Sequence, residues 1–223
     1  MIWLIILWVI ATAAVASAAV LIGKRYGVEY TIAAGAALVV IANVLANKII
    51  VVGPFTAPAG VIVFSTTFLI TDLLSELWGS KYAKKAVWAG FFGNLLLVLS
   101  VYIAVNWQPA PFAVEMSDMF SQVLGLTPRI VVGSLIAYLL SQHHDIWAYH
   151  FWKKVTKGRH LWLRNNASTI TSQLIDSIVF ITIGFYGVFP IVPLIFGQWA
   201  VKIMIALIDT PFMYIITRFA KRL

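Results

Sequence analysis

The chain has 223 residues, of which 61% are hydrophobic and only 11% charged, with a mean hydropathy of +0.93. A soluble domain of this length is about half apolar and about a quarter charged, so the composition argues against a cytosolic enzyme, a nucleic-acid-binding domain or a disordered regulator and predicts an integral membrane protein. In that setting the net charge of +8 first suggests cytoplasmic loops rich in Lys and Arg, while the absence of Cys excludes disulfides, iron–sulfur clusters and thiolate zinc sites.

A spanning helix needs roughly 20 predominantly apolar residues. Stretches of that kind lie at 2–22, 30–52, 60–79, 86–107, 128–152, 166–188 and 191–217. They are continuous and too long for the strands of a membrane barrel, so the predicted fold is an all-α bundle of about seven transmembrane helices. Ala16-Ser17-Ala18 in the first stretch resembles a signal-peptidase site, but no basic side chain precedes Lys24 and the charge follows the segment, which favours a retained helix with its N-terminus outside. Ala11, Ala14 and Ala18 would permit close packing; a simple anchor is the expected role.

Between the spans, Lys24 and Arg25 fall in the first loop, Lys81, Lys84 and Lys85 in the third, and Lys153, Lys154, Lys157, Arg159 and Arg164 in the fifth, with Arg218, Lys221 and Arg222 at the C-terminus. Thirteen of the sixteen basic residues therefore share one side, which the positive-inside rule makes cytoplasmic. The outer loops are then 53–59 and 106–127, the second with a short interfacial helix expected around 115–125.

Once the loops are set aside, Lys48, Arg129 and Lys202 and the acids Asp72, Glu76, Asp145, Asp176 and Asp209 remain within or at the ends of spans. A charge at such depth costs several kcal/mol on insertion scales of roughly 2.5–3.5 and is expected to face a partner or a water-filled cavity. Counting about 1.5 Å per residue from the outer end of each span places Asp72, Asp176 and Lys202 at one level near mid-membrane, with Asn43 slightly further out. Gln173 shares a helix face with Asp176. Lys202 can pair with either Asp72 or Asp176; a buried ion pair that only holds helices together is the structural alternative to a binding site. Asp209 is too far along its helix to reach Lys202. His143, His144, Asp145 and His150 are read as interfacial polar residues at a helix end, because their spacing spreads them over different faces and no second cluster adds metal ligands. No phosphate loop, HExxH or G-x-S-x-G is present, so no catalytic residue, metal or cofactor is assigned.

Four blocks carry a family resemblance: Asn43-Val-Leu-Ala-Asn-Lys48, VFSTTFLITDLLSELWG at 63–79, PRIVVGSLIAYLLSQ at 128–142 and STITSQLIDSIVFITIGFYG at 168–187. In that order and spacing the chain resembles the queuosine precursor transporter family, also called the vitamin uptake transporter family, from about residue 30 to the C-terminus. The resemblance implies import of 7-deazaguanine precursors of queuosine, such as 7-cyano-7-deazaguanine or its aminomethyl relative, by a bundle without an ATPase domain. It places the family's polar positions on Asn43, Asp72, Arg129, Gln173, Asp176 and Lys202, and it implies a six-helix core over 29–223 to which residues 1–28 add one N-terminal helix and the first cytoplasmic loop. Phe68 and Phe180, with Phe64 and Phe185, are candidate walls for a flat ring. The expected partners are the small base and the lipid bilayer, with a homodimer left open and no nucleic acid. The alternative function is a substrate-binding membrane subunit of an energy-coupling vitamin uptake system; an intramembrane enzyme lacks a nucleophile and base at recognisable spacing.

Overall fold

A computed structural model describes residues 2–46, 48–125, 128–187 and 190–220. Within them the chain forms eight helices and one hairpin: α1 (Ile2–Tyr26), α2 (Glu29–Leu45), β1 (Ile49–Val52), β2 (Phe55–Pro58), α3 (Gly60–Leu77), α4 (Ser80–Asn106), α5 (Val114–Leu124), α6 (Pro128–Val155), α7 (Leu161–Phe185) and α8 (Ile191–Ala220). The predicted all-α membrane bundle is what forms. Five of the helices, α1, α3, α4, α7 and α8, are long and apolar enough to cross a membrane; α2 is a shorter apolar helix of 17 residues. The 28-residue α6 has the length, but the Gln142-His143-His144-Asp145 run dilutes its apolar character. The short α5, with no buried residue, falls where an interfacial helix was expected.

At the centre stands α3, fifteen of whose eighteen residues are buried because neighbouring helices pack around it. It is surrounded by α1, α2, α4, α6 and α8, while α6 packs most extensively on α7. Hydroxyl residues are tolerated in this core because they bond back to their own helix. Ser65 donates to the Val61 carbonyl at 2.8 Å and Thr67 to that of Phe64 at 2.6 Å. Close approach is needed at Gly60, where a Cβ would sit 2.0 Å from the Ala42 carbonyl oxygen. That contact draws the end of α2 onto the start of α3.

Residues 49–52 depart from the expected helix. The β-branched run Ile49-Ile50-Val51-Val52 pairs antiparallel with Phe55–Pro58, from Ile49 opposite Pro58 to Val52 opposite Phe55. Gly53 turns with φ +60° ahead of Pro54, the residue order that suits a two-residue hairpin turn with positive φ at its first position. Stretch 30–52 is therefore a 17-residue helix followed by a strand, and Asn43 lies close to the end of α2 rather than at the depth a continuous helix would give it. Val52 and Ala57 pack with Val9, Val61, Ile62, Val201 and Ile205, which seats the hairpin against α1, α3 and α8.

Three further expectations are corrected. In α1 the buried face is Val9, Ala13, Ala16 and Val20, whereas Ala11, Ala14 and Ala18 are exposed; the helix packs on α2, α3 and α8 and is more than an anchor. Arg164, counted as a loop charge, is buried in the first turn of α7, which starts at Leu161. Asp145 is completely buried rather than interfacial, because α6 continues ten residues beyond it to Val155.

Candidate binding site

The sequence places polar side chains at successive turns of α7 and α8: Gln173 and Asp176 share a face of one helix with the aromatic Phe180, and Gln198 and Lys202 share a face of the other. Where α7 packs on α8, Lys202 donates a hydrogen bond and an ion pair to Asp176 Oδ2. Ser141 of α6 donates to Asp176 Oδ1 at 3.3 Å, so both carboxylate oxygens are held. The Lys202 ammonium also lies 5.2 Å from the centre of the Phe64 ring, a cation–π distance. Removing one partner from a buried pair leaves an uncompensated charge, which is why such pairs resist dissection.

Above this pair is a pocket of about 430 Å³ of empty space, its mouth included. Its lining runs from Ala46, Pro58 and Gly60 near the hairpin down to Asp176 and Lys202, with Asn43, Phe64, Ser134, Phe180 and Gln198 on the walls. Asn43 is fixed by its neighbours: its amide donates to Asn94 at 2.7 Å and its carbonyl accepts from Ser134 at 2.9 Å. Largely apolar walls with a few convergent polar groups are the usual form of a small-molecule site.

Of the eight residues named from the sequence, Asp176, Lys202, Asn43 and Phe180 line this pocket together. Phe68 is buried behind it, edge-on to Phe64 at 5.8 Å. Gln173 is buried outside the pocket, with no hydrogen bond to either of its polar atoms. The side chain of Arg129 lies outside the described residues. Asp72 is not Lys202's partner. Thr169 donates to it at 3.3 Å, and Asp145 is its acidic neighbour. The α6 and α7 contacts that bury Asp145 were not legible, since they depend on how far α6 extends.

The polar residues continue below the pocket along one face of α6, at four-residue steps through Ser141, Asp145, Tyr149 and Lys153. Ser141 meets Asp176, Asp145 meets Asp72, and Tyr149 and Lys153 both meet Glu76, at 3.1 and 2.9 Å. Arg164 adds a second ion pair to Glu76 at 2.9 Å and donates to the Gly158 carbonyl at 2.8 Å. This network ties α3, α6 and α7 together at the end away from the hairpin, while the pocket lies at the other end. Among the described residues no group of three or more His, Cys, Asp or Glu side chains could hold a metal ion.

Membrane-crossing helices around a charged pocket, roughly 14 Å inside α7 and 17 Å inside α8 at the usual helical rise, have the construction of a membrane transporter. The family described as "Putative vitamin uptake transporter" matches residues 58–216. A "Probable queuosine precursor transporter" of Bacillus subtilis is 32% identical over 179 residues, 78% of each chain. The "Queuosine precursor transporter" of Escherichia coli is 28% identical over 130 residues, 57% of this chain and 54% of its own length. No solved structure matches. The chain belongs to the vitamin uptake transporter family, and it is a multi-pass membrane protein.

Proposed function

We propose that the chain imports queuosine precursors of the 7-deazaguanine class, 7-cyano-7-deazaguanine or its aminomethyl relative, binding them in the pocket above Asp176 and Lys202. The observation that carries this reading is the buried ion pair at the pocket floor, in a chain similar to transporters named for queuosine precursors. A deazaguanine presents a ring N–H and an adjacent exocyclic amine, which a carboxylate accepts side by side, and a carbonyl that Lys202 or an amide can meet. Phe64 and Phe180 supply aromatic surface for the flat ring. In cells unable to make the deazaguanine base, expression is expected to restore queuosine in tRNA at low external precursor; unrestored tRNA with the protein present in the membrane would count against import.

The proposed orientation has the N-terminus outside and the C-terminus in the cytoplasm, so the hairpin and the pocket face outward and the Glu76 network faces inward. The basic residues of alternate loops support it. Residues 29–223 form the proposed transport core and residues 1–28 an added helix. Because the chain has no Cys, single probes are straightforward. A Cys at Thr56 is expected to react with an impermeant maleimide on intact cells, and a Cys at Lys157 only after permeabilisation; the opposite pattern would reverse the topology.

A further inference from the structure

The polar groups of the pocket are nearly all engaged within the protein. Both Asp176 oxygens accept hydrogen bonds, from Ser141 and Lys202, Ser134 donates to the Asn43 carbonyl, and the Asn43 amide is turned to Asn94. Gln198 differs. It lines the pocket with only 5% of its surface exposed, yet no donor reaches its Oε1. Buried acceptors are ordinarily paired, and leaving one bare forfeits hydration without return. The position is also held firmly: the next residue, Trp199, donates its indole N–H to the Ile170 carbonyl of α7 at 3.0 Å, and Lys202 follows one turn on.

The geometry points to Gln198 as a specificity residue that accepts a hydrogen bond from the exocyclic amine of a guanine-like base, an inference that rests on the deazaguanine reading above. The amine has two hydrogens. A carboxylate that takes the ring N–H with one oxygen takes a single amine hydrogen with the other, and the second amine hydrogen then needs an acceptor of its own. Asp176 on α7 and Gln198 on α8 flank the same space, so the acid serves one side of the amine and the Gln198 carbonyl the other. A base without that amine would leave Oε1 unmet and bind less well. The pocket thus selects 2-amino bases over their 2-desamino counterparts.

Binding of 7-cyano-7-deazaguanine and of its analogue lacking the exocyclic amine to the purified full chain separates the outcomes. Wild type is expected to prefer the amine-bearing base. Gln198→Leu should weaken binding of that base by roughly tenfold, the value of a lost buried hydrogen bond, and leave the analogue unchanged, so that the preference shrinks by the same factor. Gln198→Glu, which keeps an acceptor, should retain the preference, and Gln198→Met serves if the Leu variant does not fold. Equal loss for both ligands, or no loss for either, would overturn the assignment. A wild-type chain that binds the amine-bearing base without preferring it would also overturn the assignment while leaving the deazaguanine reading standing; a wild-type chain that binds neither would overturn both.

Discussion

Lys202→Met is expected to destabilise the folded protein by about 3–5 kcal/mol, the cost of leaving the other half of a buried ion pair uncompensated. The lysine is 1% exposed, and its ammonium meets the Asp176 carboxylate from the neighbouring helix. Met fills a similar length but offers nothing to the acid. The double variant Lys202→Met, Asp176→Asn removes both charges and should recover a large part of the loss, since a neutral buried pair costs less than a single buried charge. Thermal unfolding of wild type and the two variants in one detergent reads this directly. A single variant as stable as wild type would show that the pair does not hold α7 against α8.

Asp176→Asn is expected to weaken ligand binding by about 1.5–3 kcal/mol, between roughly ten- and 150-fold. The side chain keeps its shape and can still accept from Ser141, but one acceptor oxygen becomes a donor that opposes the ring N–H and amine of the base. The loss should appear in affinity measured on purified protein, with the folded fraction checked in parallel. Unchanged affinity would remove the carboxylate from recognition. It would not pass the role to Asp72, which lies outside the pocket beside Asp145.

How much of this was legible in the sequence depended on which physical signal each residue carried. Asp176 and Lys202 stood out because charges deep in apolar spans are rare, and counting helical rise from the outer ends put them at one level. The same count misplaced Asn43, because it assumed an unbroken helix through 52; Ile49-Ile50-Val51-Val52 is as apolar as a span, and only Gly53-Pro54 hinted at a hairpin. It also could not say which acid Lys202 would choose, since Asp72 and Asp176 have similar depths and the azimuth of each helix is a tertiary property. Arg164 was missed for a related reason. The basic run before it looked like a single loop, and nothing local marks Leu161 as a helix start.

Gln198 was overlooked because a neutral amide carries little insertion cost and so leaves no trace in a charge census. Its significance comes from a pocket wall and a bare carbonyl, which only packing can create. The Glu76 network had a similar fate: Glu76, Tyr149, Lys153 and Arg164 are far apart in the chain, and only the four-residue register of α6 against α3 and α7 gathers them.

Uptake by the purified chain alone, reconstituted in liposomes without ATP, tests the central claim most directly. The account predicts time-dependent entry of radiolabelled 7-cyano-7-deazaguanine into the lumen, competed by the aminomethyl relative and not by an unrelated vitamin, and abolished in Asp176→Asn at low substrate. A folded chain that binds the base yet passes none across the bilayer would contradict it and make the protein a binding subunit in need of an energy-coupling partner.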